Sequence, residues 1–247
     1  MITIGLTTWT EHPSLLGGTA KLTLTEYSGV LPVVEVDTPF YGIPKVTTVA
    51  KWQKEVPDKF QFILKANQVM TLHNVQDEGL SMDALKTAYR EYRAMIKPLT
   101  QHHQLKAILF QFPPFFERSN KNFHYLQRMV DWLPGLPIAV EFRNQSWYEP
   151  GVKDSVFDFL KDLGVAHVVV DEPHALNDGV SFEPVVTSPQ LALMRLHGRN
   201  QQGWSTKGPG WRGQRTLYRY SDVELTEFKA TVEQLQQPVS YTHLRAH

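Results

Sequence analysis

The stretch Ile138–Trp147, IAVEFRNQSW, decides the fold. Ile138, Val140 and Phe142 suit a pleated, half-buried surface. Side chains alternate along a strand, so Ala139, Glu141 and Arg143 share one face while Val140 and Phe142 share the other. An apolar start with charges at the end is unusual for a plain core strand, because buried charge is costly unless paired. Either these charges form a structural ion network or they face a site.

Working outward, the same kind of segment recurs. Ile2 to Thr8, Val33 to Phe40, Phe60 to Asn67 and Leu105 to Phe112 precede the stretch; Ala166 to Asp171 and Leu191 to Gly198 follow it. An eighth strand is expected from Val239. Helical periodicity fills the intervals: Leu22 to Ser28, Val46 to Val56, Met82 to Leu99 with Ser81 as N-cap, Ser119 to Leu133, Val152 to Leu163 closed by Gly164, and Ser221 to Leu235. Such alternation means parallel strands with helical crossovers. Eight strands in 247 residues fit one parallel (β/α)8 TIM-like barrel of α/β class over residues 1–247, with the last strand and helix incomplete. No GxGxxG or GxxxxGK[ST] follows a strand, which argues against an open nucleotide-binding sheet.

The composition is 42% hydrophobic, enough for a sizeable core. The 25 basic and 25 acidic residues cancel, so net charge gives no support to nucleic-acid or anionic-membrane binding. There are no cysteines, which excludes disulfides, thiolate catalysis and Cys-ligated zinc. No apolar run reaches membrane-spanning length, and MITIGLTTWT begins at once as a strand without a leader pattern. The expected location is cytoplasmic.

Barrels of this kind carry their sites at the C-terminal ends of the strands. The residues expected there are Glu35 and Asp37 from strand two, Lys65 from strand three and Gln111 from strand four. Strand five adds Glu141 and Arg143, strand six Asp171, and strand seven Arg195 and His197. The opposite parity in each strand is mostly apolar and packs under the helices. His73 is expected in a loop at the mouth. Trp147 and Trp204 read either as packing groups or as platforms for a planar ring. Trp52 reads as core, and Arg199, Arg212 and Arg215 as a solvated loop.

The segments VVEVDTPFY, FQFILKAN, LFQFPP, AVEFRNQSW and MRLHGR, in this order and spacing, resemble the YecE-like family, domain of unknown function 72. The resemblance runs from Ile2 to about Leu235 and implies a TIM-like barrel, but it supplies no reaction. Matching family positions are Glu35, Asp37, Phe40, Tyr41, Trp52, Lys65, Gln111, Pro113, Glu141, Arg143, Trp147, Asp171, Arg195, His197 and Gly198. Thr242 to His247 departs from the family pattern and is expected to be a tail that packs poorly.

The functional expectation is an enzyme, of hydrolase or isomerase type, acting on an anionic or phosphorylated small molecule or a nucleic-acid fragment. Glu141, Asp171 and His197 are the candidate acid–base groups. Glu35, Asp37, Tyr41, Lys65, His73, Gln111, Arg143, Trp147 and Arg195 are the candidate substrate-binding groups. The sequence requires no cofactor and assigns no metal ligands. The alternatives are a non-catalytic binding module for the same anions and a divalent-metal isomerase- or endonuclease-like barrel, which the many inward cations disfavour. A catalytic rim should leave a carboxylate or His197 without a fixed partner; a structural plug should pair them all.

Overall fold

The computed structural model describes residues 2–18, 20–74, 79, 81–173, 179–205, 217–237 and 242–246. Strand β1 (Ile2–Thr7) leads through α1 (Leu24–Ser28) to β2 (Val33–Val36). Helices α2 (Thr38–Tyr41) and α3 (Val46–Lys54) precede β3 (Gln61–Lys65). Then come α4 (Met82–Met95), α5 (Lys97–Gln101), β4 (Leu105–Gln111), α6 (Asn120–Trp132) and β5 (Ile138–Glu141). The chain continues through α7 (Lys153–Asp162), β6 (Ala166–Asp171), β7 (Ala192–Leu196), α8 (Gln201–Ser205), α9 (Asp222–Gln236) and β8 (Thr242–Ala246).

The helices begin where short polar side chains satisfy their free N–H groups. Thr23, Ser81, Ser119 and Ser221 each accept from a first-turn amide. Thr23 with Glu26 and Ser221 with Glu224 complete reciprocal capping boxes. The helix expected over Met82 to Leu99 is two helices. Pro98 has no N–H to offer the carbonyl four residues back, and the chain turns at Ile96.

Neighbouring strands pair in parallel and in chain order, giving an α/β fold on a curled parallel sheet. β8 pairs with both β7 and β1, so the sheet closes on itself. No helix follows β8 among the described residues. The sequence reading starts strand eight at Val239 and expects a loose tail after it. Val239, Ser240, Tyr241 and His247 lie outside the described residues; the strand runs over Thr242–Ala246.

The register fixes which residues face inward. Thr7 lies opposite Glu35, Glu35 opposite Ile63, and Lys65 opposite Leu109. Gln111 lies opposite Glu141, Ala139 opposite Ala166, and Val170 opposite Arg195. The outward faces of β2 to β5 and of β7 pack under the helices: Val34, Phe62, Leu64, Phe110, Val140 and Leu196 are all buried. Ile2 and Ile4, on the outward face of β1, remain 39% and 48% exposed. Among the described residues no helix is long and apolar enough to cross a membrane.

Close packing of β1 on β2 depends on Gly5. A Cβ there would lie 2.4 Å from the Val33 carbonyl oxygen, which belongs to the backbone and cannot swing aside. Gly5→Ala is therefore expected to destabilise the protein by roughly 1–3 kcal/mol through forced separation of the two strands. Urea unfolding of the variant measures this; an unchanged midpoint would refute the strand contact.

Candidate functional site

Arg195, on β7, is 2% exposed and lies at the centre of the C-terminal rim. Its Nε donates to Glu35 Oε2 at 3.2 Å and its Nη2 to Glu35 Oε1 at 2.9 Å, a two-armed grip across the barrel. Its Nη1 donates to Glu141 and, at 3.3 Å, to Gln111 Oε1. One guanidinium thus ties together groups from β2, β4 and β5. A planar fork with five N–H donors suits this arrangement where a lysine would not.

Arg143 continues the network. It is ion-paired with Glu141 through its Nε at 2.6 Å, and its Nη1 donates to Glu172. Its Nη2 lies 3.0 Å from His197 Nε2, which is also 3.2 Å from Glu141 Oε1. Burial, followed by the charges of Arg143 and Arg195, holds His197 down to about 3, so the ring is neutral. A neutral ring with a bare Nε2 accepts from Arg143; with a proton there it donates to Glu141. It satisfies one of the two at a time.

The two carboxylates gripped by Arg195 titrate in opposite directions. Burial pushes Glu35 up to about 8, against the pull of the Arg195 guanidinium. Burial acts the same way on Glu141, but Arg143 and Arg195 together hold it well below the usual carboxylate range. Environments that drive a carboxylate pair apart in this way mark acid–base sites in many enzymes.

A looser half of the rim lies beside this cluster. Lys65 Nζ is 4.0 Å from Asp37 Oδ1 and 4.8 Å from the centre of the Phe40 ring. Asp37 Oδ1 is buried and has no hydrogen-bond partner among the described residues. Burial lowers the Lys65 ammonium, with Asp37 opposing. His73 packs edge-on against Phe40 at 4.8 Å, bonds Thr71 Oγ1 through Nδ1, and is held down to about 4 by burial and by Lys65. Tyr41, 62% exposed, also packs edge-on with Phe40, at 5.1 Å.

Two expected site residues are placed elsewhere. Asp171 does not join the cluster. Ala139 faces inward and pairs with Ala166, so Ala166, Val168, Val170 and Glu172 follow it inward and Asp171 points out. There it accepts from Arg199 at 2.8 and 2.9 Å and from Tyr220 at 2.7 Å. Arg199 also binds Glu224, so it is a tied group and not a solvated one. Glu172 is the carboxylate that the sequence reading missed. Its Oε1 accepts from Val180 N at 2.9 Å. Gly179 permits this approach, since a Cβ at its φ of +79° would lie 2.1 Å from the Pro173 oxygen.

Trp147 is fully buried below the rim. It stacks on Phe142 at 4.2 Å and donates from Nε1 to the Phe116 carbonyl at 2.7 Å. It therefore anchors the loop that follows β5. Trp204, on α8, lies with its ring 5.9 Å from the Arg143 guanidinium. Arg212 and Arg215 lie outside the described residues. Trp52 is core, packed on Trp9. No three His, Asp or Glu side chains are grouped as metal ligands among the described residues; Arg195 stands between Glu35 and Glu141.

The model of the family described as "protein of unknown function DUF72" matches residues 3–246. The chain belongs to the DUF72 family. The UPF0759 protein YunF of Bacillus subtilis (strain 168) is 37% identical over 241 residues, 96% of this chain and 85% of that protein. The crystal structure of a DUF72-family protein from Enterococcus faecalis V583 superposes with a TM-score of 0.92 at 36% identity, over 100% of this chain and 89% of that one. A DUF72-family protein from Thermotoga maritima MSB8 gives a TM-score of 0.82 at 27% identity, over 100% and 92%. No specific biochemical activity is established for the DUF72 family.

The buried histidines set the response to acid. His197, His167 and His73 titrate at about 3, 4 and 4 in the fold, against an ordinary value of 6.5. Below 6.5 the unfolded chain takes up protons that the folded chain refuses, so stability is lost as pH falls toward 4. Glu35, raised to about 8, acts in the opposite sense down to its ordinary value of 4.5. Three groups against one, with His73 discounted for its exposure, leave a net loss of roughly 1–3 kcal/mol between pH 7 and 5. Urea unfolding at the two pH values checks this; equal or greater stability at pH 5 would contradict it.

Proposed function

We propose that the C-terminal rim is an acid–base active site for a small anionic molecule, on what we read as a (β/α)8 barrel. The observation that carries this is Asp37 Oδ1, a buried acceptor with no hydrogen-bond partner among the described residues, 4.0 Å from Lys65. A buried carboxylate oxygen left in this state costs stability unless a ligand donor completes it. Lys65 would take the anionic group, Asp37 a hydroxyl or amine of the substrate, and Phe40 with Tyr41 one wall. Gln111 and Arg143 would orient the molecule from the other side.

Beneath this seat, Glu141 is the permanent anion that holds Arg195, Arg143 and His197 in place, and Glu35, gripped through both oxygens by Arg195, is the carboxylate whose proton affinity burial raises. His197, a neutral ring, joins the two sides by accepting from Arg143 or donating to Glu141. Such chemistry fits an isomerase or a hydrolase. A second reading, an ion-pair plug with no ligand, is favoured by the guanidinium partner found on each of Glu35, Glu141 and Glu172.

Thermal unfolding in phosphate or sulfate separates the two. Under the active-site reading the parent protein is stabilised by the anion, by about 2.7 kcal/mol at a hundredfold excess over Kd. Lys65→Met is expected to abolish the part contributed by the rim while leaving the fold intact, since its own pairing with Asp37 is loose. Arg143→Ala is expected to weaken anion binding as well. Under the plug reading the parent shows no anion effect, and Arg143→Ala costs roughly 3–5 kcal/mol by leaving Glu172 and Glu141 short of a partner.

A further inference from the structure

Far from the rim, on the outer helical layer, a groove of about 640 Å³ opens between α4 and the end of α6. That volume is within the range of small-molecule sites. Lys86, Arg90 and Arg93 of α4 and Lys97 of α5 line it. Lys86, Arg90 and Arg93, four and three residues apart, form one stripe on α4, with Lys86 and Arg93 roughly 10 Å apart along the helix, and Lys97 follows just beyond the turn at Ile96. All four are exposed, and none forms an ion pair with a carboxylate among the described residues.

This concentration is not a consequence of composition, because the chain as a whole is neutral. It is also unfavourable for the helix, where like charges three and four residues apart repel. One carboxylate, Asp131, faces the four cations from α6, and Gln127 donates to it at 3.2 Å. Trp132 adds an aromatic surface; its ring is held edge-on by Tyr89 at 4.9 Å, with Arg128 over it at 6.0 Å. Four cations against one carboxylate in a concave site with an aromatic end suit a ligand of several negative charges close together.

We propose that this groove binds a small polyphosphorylated anion. Arg90 and Arg93 supply planar donor forks for adjacent phosphate groups, and Lys86 and Lys97 supply point charges at either end. A compact ligand fits better than an extended strand, because the cations are confined to one groove and the chain carries no net positive field to guide a long polyanion.

Isothermal titration of the full chain with inorganic tripolyphosphate, and separately with a nucleoside triphosphate, tests this. The expected result is one saturable site whose affinity falls with added salt. An Arg90→Ala/Arg93→Ala double variant, altered only at exposed positions, is expected to keep its melting temperature and lose at least tenfold in affinity. Lys65→Met at the rim is expected to leave this binding unchanged, which separates the groove from the site proposed above. Absence of binding at millimolar tripolyphosphate, or binding untouched by the double variant, would overturn the proposal. So would a single-stranded oligonucleotide binding more tightly than the triphosphate through the same arginines, which would make the surface a nucleic-acid interface.

Discussion

A guanidinium taken fully out of water must be matched by carboxylates, and Arg195 meets that requirement with Glu35 and Glu141. Glu35 comes from β2 and Glu141 from β5, three and two strands away from β7 around the closed sheet. Glu35 stands 160 residues from Arg195 in sequence, so the pair constrains the closure of the sheet as well as its local packing. The parity of β2, β5 and β7 follows from it. A slip of one residue in any of these strands would turn a charged group outward under an apolar helix. The Phe142–Trp147 stack and the Asn144 side chain, which donates to the Pro114 carbonyl at 2.6 Å, then hold the exit of β5 so that Arg143 reaches both Glu172 and His197.

The rim consequently has two characters. On the side of β5 and β7 every charge has a close counter-charge, and the groups are rigid. On the side of β2 and β3, beyond Glu35, the described residues offer the long pair between Lys65 and Asp37, set among Phe40, Tyr41 and His73. Preorganised charge lies next to an incompletely satisfied seat. That combination suits chemistry in which the rigid side sets proton affinities and the loose side receives the molecule.

Much of this was legible in the sequence. Glu141 and Arg143 on one face of IAVEFR, Glu35 and Asp37 in VVEVD, and Arg195 and His197 in MRLHG each stand beside apolar residues of the opposite parity, so period two gives their facing directly. Strand six offered no such contrast. AHVVVDE is apolar on both faces because it is buried on both. Only the pairing of Ala166 with Ala139 shows that Glu172 faces in and Asp171 out. Trp147 was ambiguous for a related reason: one aromatic after a strand suits a ligand platform or a packing stack, and its neighbours Phe116 and Phe142 decide the matter from distant positions. The position of Asp37 Oδ1, 4.0 Å from Lys65, was beyond sequence reasoning, since it depends on distances of tenths of an ångström.

The pairing of β1 with β8 brings residues 2–6 against residues 242–246. Contacts of such long sequence separation are slow to form, because nearly the whole chain must be ordered before they contribute. Until that seam closes, β1 and β8 are both bare edges, and a parallel edge recruits whatever strand it meets. The last step of folding is therefore also the one most open to intermolecular pairing. For this chain, dilute conditions and slow removal of denaturant should favour correct closure over aggregation.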